Sequence, residues 1–419
     1  MYGRDLLGAA VRRRSRRAHA TSGTRWQAAI TVTAAIGGFV ALPQSSNAAP
    51  FTWSGASTTT SGWGGASNWL PSSLPSIGTN ALVFTGANRL TNQATTNYTL
   101  DGITFSGSAQ SFNLQGNSPT RTLNMLGDIT NQSGRLQTIG GTTTGSKLAL
   151  SYGTNAVTRT IDTGSGTIDL NAAVRGGSNV TLNKTGIGGL VIDNPPGTGH
   201  GFSGTFRASE GTVDLQAMFN ANVGVSGSAT LNVDPVAGGI TTATVNSLTS
   251  SGTVNMLGSL TVYESLKLNA SSVLNLTLPV DPNEANQLSY GAGTMLGGAL
   301  HVTLLGDYPD ADTSNPTVFQ ILQSTAGDPG GNFTTVTATY NGQLLSFTQG
   351  PDAVDPHVWI SQMAADGKQL RFDQISGEVV VVPEPSSIVI AGIGAAMAAW
   401  NALKSRRKRL RALRPTFET

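Results

Sequence analysis

The chain has no cysteine among its 419 residues. Disulfide bridges and thiolate metal sites are therefore excluded, and a chain of this length has to be stabilised by its own core. Histidine is also scarce, and the four histidines lack the His-Glu or His-x-His spacing expected of a zinc site. They are His19, His200, His301 and His357. No glycine-rich segment has the Lys-Ser/Thr and helix that follow a phosphate loop.

Charged side chains are few, at 11% of the sequence, and they are unevenly distributed. Residues 1–48 hold seven of the 25 basic residues, and residues 383–419 hold seven more. Only three of the 23 acidic residues lie in these two ends, so the segment between them has a net charge of about −9. Because nucleic-acid binding requires a basic face, we expect no nucleic-acid partner.

Before the C-terminal tail, no long segment has the 3.6-residue apolar period of a helix. Short runs in which apolar and polar residues alternate recur instead, and Gly, Asn, Ser or Pro bounds each of them. This pattern predicts an all-β fold, with disorder near 56–65 and 140–146 as the alternative for such a glycine-rich composition. Examples of the runs are 81–84, 122–125, 180–182, 230–233 and 274–278.

Several strands are copies of one pattern: Gly-Thr, a β-branched residue, Asp or Asn, and an apolar residue. The copies are 166–170, 211–215 and 252–256, with a degenerate version at 189–193. Their spacing indicates a unit of about 20 residues, which suits one coil of a β-solenoid. In that geometry Ile168, Val213 and Val254 share one inward layer, while the Thr, Asp and Asn residues face outward.

The segment from 182 to 213 resembles the autotransporter-associated β-strand repeat. The Lys-Thr-Gly turn at 184–186, the strand at 189–192, the Phe-Ser-Gly turn at 202–204 and the Gly-Thr-Val strand at 211–213 carry the resemblance. Asn194-Pro195-Pro196 departs from the pattern. The resemblance implies a right-handed parallel β-helix on an exported protein, and it implies no chemistry.

The first 48 residues have the order of a signal peptide. A basic leader precedes the apolar stretch 28–42, and small residues surround a predicted cleavage point near Ala48 or Ala49. A retained N-terminal membrane helix is the alternative. The residues of the cleavage region are Ser46, Asn47, Ala48 and Ala49.

The C-terminal end carries Pro383-Glu384-Pro385, then an apolar run at 388–403, and then a basic cluster. As a helix this run spans roughly 24 Å, and basic residues directly after such a helix tend to stay cytoplasmic. The order resembles the PEP-CTERM sorting signal of Gram-negative bacteria, with a plain C-terminal anchor as the alternative. The basic residues are Lys404, Arg406, Arg407, Lys408 and Arg409.

The PEP-CTERM resemblance implies a partner and a location. In that family an exosortase recognises the tripeptide, removes the transmembrane helix and the tail, and releases or transfers the rest at the cell surface. We therefore expect a transient inner-membrane anchor through 388–403 and a final location at the surface, in the outer envelope or in the extracellular matrix.

Both flanks of the repeat region predict end caps. Trp53, Trp63 and Trp69 are expected to cover the first coil, with a sugar-stacking face as the alternative. A cluster of Pro, Asp and Asn at 279–283 marks a boundary, after which we expect an antiparallel cap. The predicted domains are a signal peptide (1–48), a β-solenoid (49–279), a β-rich capping module (280–378) and the sorting signal (379–419).

No motif indicates an enzyme. β-Helix enzymes that cut polysaccharides need several carboxylates, or a base and a metal, on neighbouring coils. Asp169 and Asp214 occupy equivalent repeat positions, but solvated turn residues explain them as well. Asp307, Asp310 and Asp312 lie in a Pro-containing loop that lacks the spacing of a calcium loop. We expect no enzymatic activity, no metal and no cofactor.

The sequence predicts an exported structural or adhesive protein of the envelope or exopolysaccharide matrix. An extracellular polysaccharide is the expected partner besides the exosortase, by analogy with PEP-CTERM proteins alone. One alternative is a polysaccharide-degrading β-helix enzyme, which requires several charged side chains in one groove. The other is a carbohydrate-binding module, which requires exposed coplanar tryptophans.

Overall fold

Short β-strands joined by tight turns follow one another along the chain. The computed structural model describes residues 49–76, 78–117, 120–141, 147–193, 199–279, 281, 286–306, 316–350 and 356–383. A 3-10 helix at Ala66–Asn68 accompanies the strands. The first strands are β1 (Phe51–Trp53), β2 (Trp69–Leu70), β3 (Thr79–Phe84), β4 (Thr91–Ala94), β5 (Tyr98–Phe105), β6 (Asn113–Gly116), β7 (Arg121–Asn131), β8 (Leu136–Ile139), β9 (Leu148–Ser151), β10 (Val157–Asp162) and β11 (Thr167–Leu170).

The remaining strands continue the same spacing. Next come β12 (Ala173–Gly176), β13 (Val180–Thr185), β14 (Gly189–Ile192), β15 (Gly201–Phe202), β16 (Thr205–Leu215), β17 (Asn222–Val233), β18 (Thr242–Ser250), β19 (Thr253–Met256), β20 (Ser259–Leu268) and β21 (Val273–Leu278). The last are β22 (Leu288–Tyr290), β23 (Met295–Leu296), β24 (Ala299–Leu304), β25 (Thr317–Gln320), β26 (Leu322–Ser324), β27 (Gly330–Gly331), β28 (Thr335–Tyr340), β29 (Gln343–Gln349), β30 (Val358–Ser361), β31 (Lys368–Asp373) and β32 (Glu378–Pro383).

From β3 to β28, apart from β25, the strands pair in parallel, and most partners have at least one other strand between them in the sequence. One row, here called the ladder face, joins β8, β11, β14, residues 212–215, residues 230–233, β19, β21, β24 and β28. Parallel pairing between successive turns of one chain is the coiled arrangement of a solenoid. The predicted all-β fold is therefore confirmed.

One inward layer of apolar side chains runs along the ladder face from β11 to β28. Val213 lies in it with 1% of its surface exposed, and its Cα partners are Leu190 and Leu231. Burying each such side chain contributes roughly 1.5–3 kcal/mol. The expectation that Ile168, Val213 and Val254 share a layer is confirmed. In order along the stack, the layer consists of Ile168, Leu190, Val213, Leu231, Val254, Leu274, Leu300 and Val336.

Aromatic side chains cover the N-terminal end of the stack. Trp53, Trp63 and Trp69 are each 0% exposed. The ring centroids of Trp53 and Trp69 are 4.9 Å apart, and those of Trp63 and Trp69 are 6.0 Å apart, both edge to face. Such pairs add about 0.5–1.5 kcal/mol beyond their buried area. The prediction of a tryptophan end cap is confirmed.

Antiparallel strands close the other end. Asn341 and Gly342 have positive φ angles of 49° and 73°, and they turn β28 back into β29. Two such residues form the tight hairpin turn that suits the twist of paired strands. Strands β29, β30, β31, β32 and β25 then pair antiparallel in that order. Because β29 pairs with β28, the hairpin of these two strands covers the edge of the last parallel strand.

The antiparallel cap begins later than the predicted boundary at 280. Strands β22, β24 and β28 still pair in parallel with earlier coils, and the pairing continues to Tyr340. The Pro, Asp and Asn residues at 279–283 fall between two strands of the same stack, β21 and β22. The prediction was wrong because such residues accompany a loop between coils as readily as a boundary between domains.

Several predicted segments lie outside the described residues. They include the signal peptide 1–48, the apolar run 388–403, the basic cluster and the acidic loop at 307–312. Within the described ranges, no helix has the length and apolar character needed to cross a membrane.

We expect Val213→Asp to destabilise the fold by about 3 kcal/mol or more, because it places an unpaired charge within the inward layer. Thr212→Asp is the matched control, since Thr212 is the exposed neighbour on the same strand. Thermal unfolding followed by circular dichroism measures both changes. Equal stability of the two variants would show that the strand phase is wrong.

Candidate functional site

A continuous row of polar side chains runs along the outer surface of the ladder face. The Asn232 amide donates to Asp214 Oδ1 at 2.6 Å, Asn255 donates to Asn232 Oδ1 at 2.8 Å, and Asn275 donates to Asn255 Oδ1 at 2.7 Å. These four residues are separated in sequence by 18, 23 and 20 positions, which confirms the predicted unit of about 20 residues. They form one hydrogen-bonded chain across four coils.

A histidine occupies the next position of this outward row, beyond Asn275. His301 is the Cα partner of Asn275, and its Nδ1 lies 2.8 Å from the Thr337 hydroxyl. Its Nε2 lies 3.2 Å from the Thr339 hydroxyl, and burial lowers the pKa of His301. Both ring nitrogens therefore have hydroxyl partners. We call Asp214, Asn232, Asn255, Asn275, His301 and Thr337 the polar ladder.

Threonines flank the polar ladder on the same surface. Thr212, Thr230 and Thr253 are Cα partners on one side, and Thr277, Thr303 and Thr339 are partners on the other. Asn232 and Asn255 each use the carbonyl oxygen and one N–H bond within the ladder, and Asn275 uses one N–H bond, so these amides have further capacity for hydrogen bonds. The surface offers hydroxyl and amide groups at regular coil spacing.

The two predicted acidic residues occur in the same outward row. Asp169 is a Cα partner of Val191, and Val191 is a partner of Asp214. The predicted separation of two coils is confirmed. Two strand spacings amount to roughly 9.6 Å. That is about twice the carboxylate separation of retaining glycosidases and lies at the upper limit, ~9.5 Å, for inverting ones.

Asp169 has the more unusual electrostatic environment. Burial raises its pKa to about 6, and the nearby Asp193 carboxylate adds to the rise. The Asn171 amide donates to Asp169 Oδ2 at 2.8 Å, and together with Thr138 it lowers the pKa in part. A carboxylic acid with a raised pKa beside a second carboxylate is the electrostatic arrangement that acid–base catalysis uses.

The histidines have structural partners in this fold. His200 Nδ1 accepts the Val174 backbone N–H at 3.1 Å, and Nε2 lies 2.7 Å from the Asp193 backbone oxygen. Burial lowers the pKa of His200 to about 4, so the ring is neutral at neutral pH and donates from Nε2. His357 accepts the Gln374 N–H at its backbone oxygen. In the part of the chain that the structure describes, no group of three His, Asp or Glu residues is placed to bind a metal.

Lys184 is an interior residue that the sequence reading missed. It occupies an inward position of β13 and is 0% exposed. Its Nζ donates to the backbone oxygens of Gly186, Gly188 (2.6 Å) and Glu210 (2.7 Å), while the Glu210 side chain accepts the Gly186 N–H at 2.9 Å. Burial lowers the pKa of Lys184 to about 8, against the opposing effect of Glu210 and Asp162.

This arrangement explains the Lys-Thr-Gly turn. Gly186 has φ +81°, and a Cβ added at Gly188 would lie 1.8 Å from the Gly166 oxygen, so the corner requires glycine. The corner carbonyls point into the solenoid, where they need a donor. Lys184 supplies three N–H bonds and joins two consecutive coils. The signal in the sequence was the motif itself, whose lysine was read only as part of a turn.

Of the two predicted terminal sites, only the residues nearest the β-strand region, Ala49 and Pro383, lie among the described residues. Ala49, in the predicted cleavage region, is exposed. Pro383 is the last residue of β32 and the Cα partner of Lys368, so its backbone is extended as expected. Ser46, Asn47, Ala48, Glu384 and Pro385 lie outside the described residues.

Comparisons with known proteins give no family assignment: no protein-family model, no curated protein and no solved structure matches the chain.

We expect Asp169→Asn to raise the melting temperature by a few degrees at pH 7. The raised pKa of Asp169 means that the folded state carries a penalty for the ionised carboxylate above pH 6, and that this penalty disappears as the pH falls through 6 towards 4. The gain should therefore be small at pH 4.5. Melting curves at the two pH values measure the difference.

Asp214→Asn is the control for this experiment, because Asp214 already accepts a hydrogen bond from Asn232. It should give no gain at pH 7. If Asp169→Asn raised the melting temperature equally at both pH values, the raised pKa of Asp169 would be contradicted.

Proposed function

We propose that this protein is an exported, surface-associated solenoid with a structural or adhesive role in the envelope or exopolysaccharide matrix of a Gram-negative bacterium. The proposal includes a right-handed coil, as the β-strand repeat resemblance implies. It also includes a transmembrane helix at 388–403 that anchors the chain until an exosortase processes it at Pro383-Glu384-Pro385.

The polar ladder is the observation that carries this proposal. It presents amide, hydroxyl and imidazole groups in fixed register on a stack of coils, and threonines extend it on both sides. Many weak, regularly spaced contacts reinforce one another when the partner is itself a repeating polymer. This surface suits a scaffold that adheres along a matrix polysaccharide.

The two alternatives receive unequal support. A carbohydrate-binding module that stacks sugars on Trp53, Trp63 and Trp69 loses its basis, because these rings are buried in the end cap. The polysaccharide-degrading enzyme keeps one favourable observation, the raised pKa of Asp169 beside Asp193. Two observations count against the enzyme. Asp214 accepts a hydrogen bond from Asn232, and it lies about two strand spacings from Asp169.

Processing is the first test. We expect protein recovered from the surface of its cells to begin near Ala49 and to lack everything after about Pro385, because both terminal signals are removed on export. Intact-mass and peptide mass spectrometry read both ends at once. A Glu384→Ala variant is the control, and it should retain the C-terminal tail. Recovery of the tail on the unmodified surface protein would reject the sorting proposal.

Absence of turnover is the second test. We expect the purified protein to leave the polymer length of the host's exopolysaccharide unchanged, with or without Ca²⁺, since its carboxylates are held in ladder and turn contacts. Reducing-end and unsaturated-product assays measure this. Turnover that is abolished by Asp169→Asn or Asp214→Asn would overturn the scaffold proposal in favour of the enzyme.

A further inference from the structure

The strands of the ladder face carry no positively charged lysine or arginine. They are β8, β11, β14, residues 212–215, residues 230–233, β19, β21, β24 and β28. Their acidic residues are Asp169 and Asp214, which lie in the same outward row. Another face of the same stack does expose cations, Arg207 on β16 and Lys267 on β20. The ladder face is therefore set apart by carboxylates that no neighbouring strand residue neutralises with a positive side chain.

The side chains of the polar ladder are open to solvent. After their bonds within the ladder, Asn232 and Asn255 each keep one N–H group and one acceptor lone pair. Asn275 keeps one N–H group as well. All six ladder residues are partly exposed, so a molecule on the surface can reach them: Asp214, Asn232, Asn255, Asn275, His301 and Thr337.

Threonine hydroxyls widen this surface on both sides of the ladder. Thr212 is exposed, and Thr230 and Thr253 are partly exposed beside the first amides. Thr277 and Thr303 are partly exposed on the other side, beside the later positions. Each hydroxyl both donates and accepts. Every coil of the ladder thus offers uncharged donors and acceptors to a ligand.

The repeat of the ladder is set by the distance between strands. Neighbouring strands lie about 4.8 Å apart, so the five spacings from Asp214 to Thr337 span about 24 Å. In an extended chain of pyranose rings with equatorial linkages, each ring advances by a distance close to one strand spacing. Such a chain, lying along the stack, places one ring over each coil, where successive rings meet similar amide and hydroxyl groups.

The charge of the face selects among such polymers. A uronate or sulfate polymer would bring an anionic group close to Asp214 and would find no lysine or arginine on the strands beneath it. Like charges repel within a Debye length, which is about 8 Å at physiological salt. A neutral sugar avoids this repulsion, and its hydroxyls can still donate to the Asp214 carboxylate, whose Oδ1 already accepts from Asn232.

We infer that the ladder face binds a neutral, extended polysaccharide of β-1,4-linked pyranose units that lies along the stack, and that it disfavours polymers with an anionic group on each unit. This inference rests on the proposed adhesive function and names its polymer class. The aromatic residue of the ladder-face strands, Tyr340, is 0% exposed, so no ring is available there for sugar stacking. Each unit therefore binds weakly, and affinity accumulates with the number of coils that are occupied.

The first test compares oligosaccharides on the purified protein at pH 7. Cellohexaose or mannohexaose, both neutral and β-1,4-linked, should bind at least about tenfold more tightly than its disaccharide. At low salt it should also bind at least about fivefold more tightly than cellohexaose oxidised to a carboxylate at every C6, and added NaCl should narrow that difference. Isothermal titration calorimetry or ligand-observed NMR gives the affinities.

Three results of this comparison would overturn the inference. They are no binding of either neutral hexamer, equal affinity for hexamer and disaccharide, and equal or tighter binding of the oxidised hexamer at low salt.

Variants locate the binding on the ladder face. Asn255→Ala removes the central amide and should weaken binding of the neutral hexamer about fivefold. Asn222→Ala is the matched control and should leave it unchanged, because Asn222 is also an outward amide but accepts from the Ser247 hydroxyl on another face. Thr253→Val removes one ladder-side hydroxyl, keeps a β-branched side chain suited to a strand, and should weaken binding about twofold. Full-strength binding by both folded ladder variants would place the sugar elsewhere.

A charge variant tests the selection. The double variant Asp169→Asn, Asp214→Asn removes both carboxylates of the ladder-face strands, and the amide at 214 can still accept from Asn232. The ratio of the affinities for the neutral and the oxidised hexamer at low salt should fall at least about twofold. An unchanged ratio would show that these carboxylates do not select the polymer.

The outcomes keep this inference separate from the scaffold proposal. Preferred binding of the oxidised hexamer would keep an adhesive role and overturn the neutral class. Retention of the C-terminal tail on the surface protein would reject sorting and leave sugar binding to be judged by titration.

Discussion

The register between consecutive coils is the constraint on which the other features depend. In a strand, alternate residues face opposite sides, so a shift of one position would send every inward residue outward. Val213 lies between Leu190 and Leu231 in the inward layer, and Asp214, one residue on, necessarily lies in the outward row. The core and the polar ladder are therefore set by the same pairing. A change that loosens one coil disturbs both locally.

The corners impose a second requirement, because a turn between strands of a coil can direct backbone carbonyls inward, as at residues 186 and 188. Lys184 meets this requirement by donating to three of them, and Gly186 and Gly188 allow the chain to pass close to the coil before it. From the sequence alone, a lysine in a polar, glycine-rich turn is expected to be a solvated side chain. Only the folded corner shows the three carbonyls, since one of them comes from residue 210 on the next coil.

Predictions from the sequence were most accurate where the alternation of apolar and polar residues agrees with the spacing of the coils. The copies beginning at Gly166, Gly189 and Gly211 lie on successive coils, and Ile168, Val213 and Val254 share the expected layer. The start of the cap was wrong because pairing partners depend on distant residues, whereas proline and aspartate clusters report only that the chain turns. The hairpin at Asn341-Gly342, where parallel stacking stops, is a local signal of the kind that residues 279–283 lack. Asp169 was found by its repeat position, but its raised pKa depends on Asp193 and on burial, which the repeat does not specify.

Irregular coils are where a solenoid of this type can acquire specific chemistry. A repeat position is constrained by the neighbours above and below it, so a charged residue facing inward there is normally excluded. Between Asn124 and Ile129 the pairing stops and then resumes. One coil uses four residues (125–128) where the next uses nine (152–160), and the inward layers on either side stay in register. Arg159, the Cα partner of Leu182, has no partner on β7 at that point. Since each coil contacts only its neighbours, the cost of this insertion stays local. The regular coils thus supply the stable surface, and a lengthened coil accommodates an arginine at a position that is apolar on the next two coils.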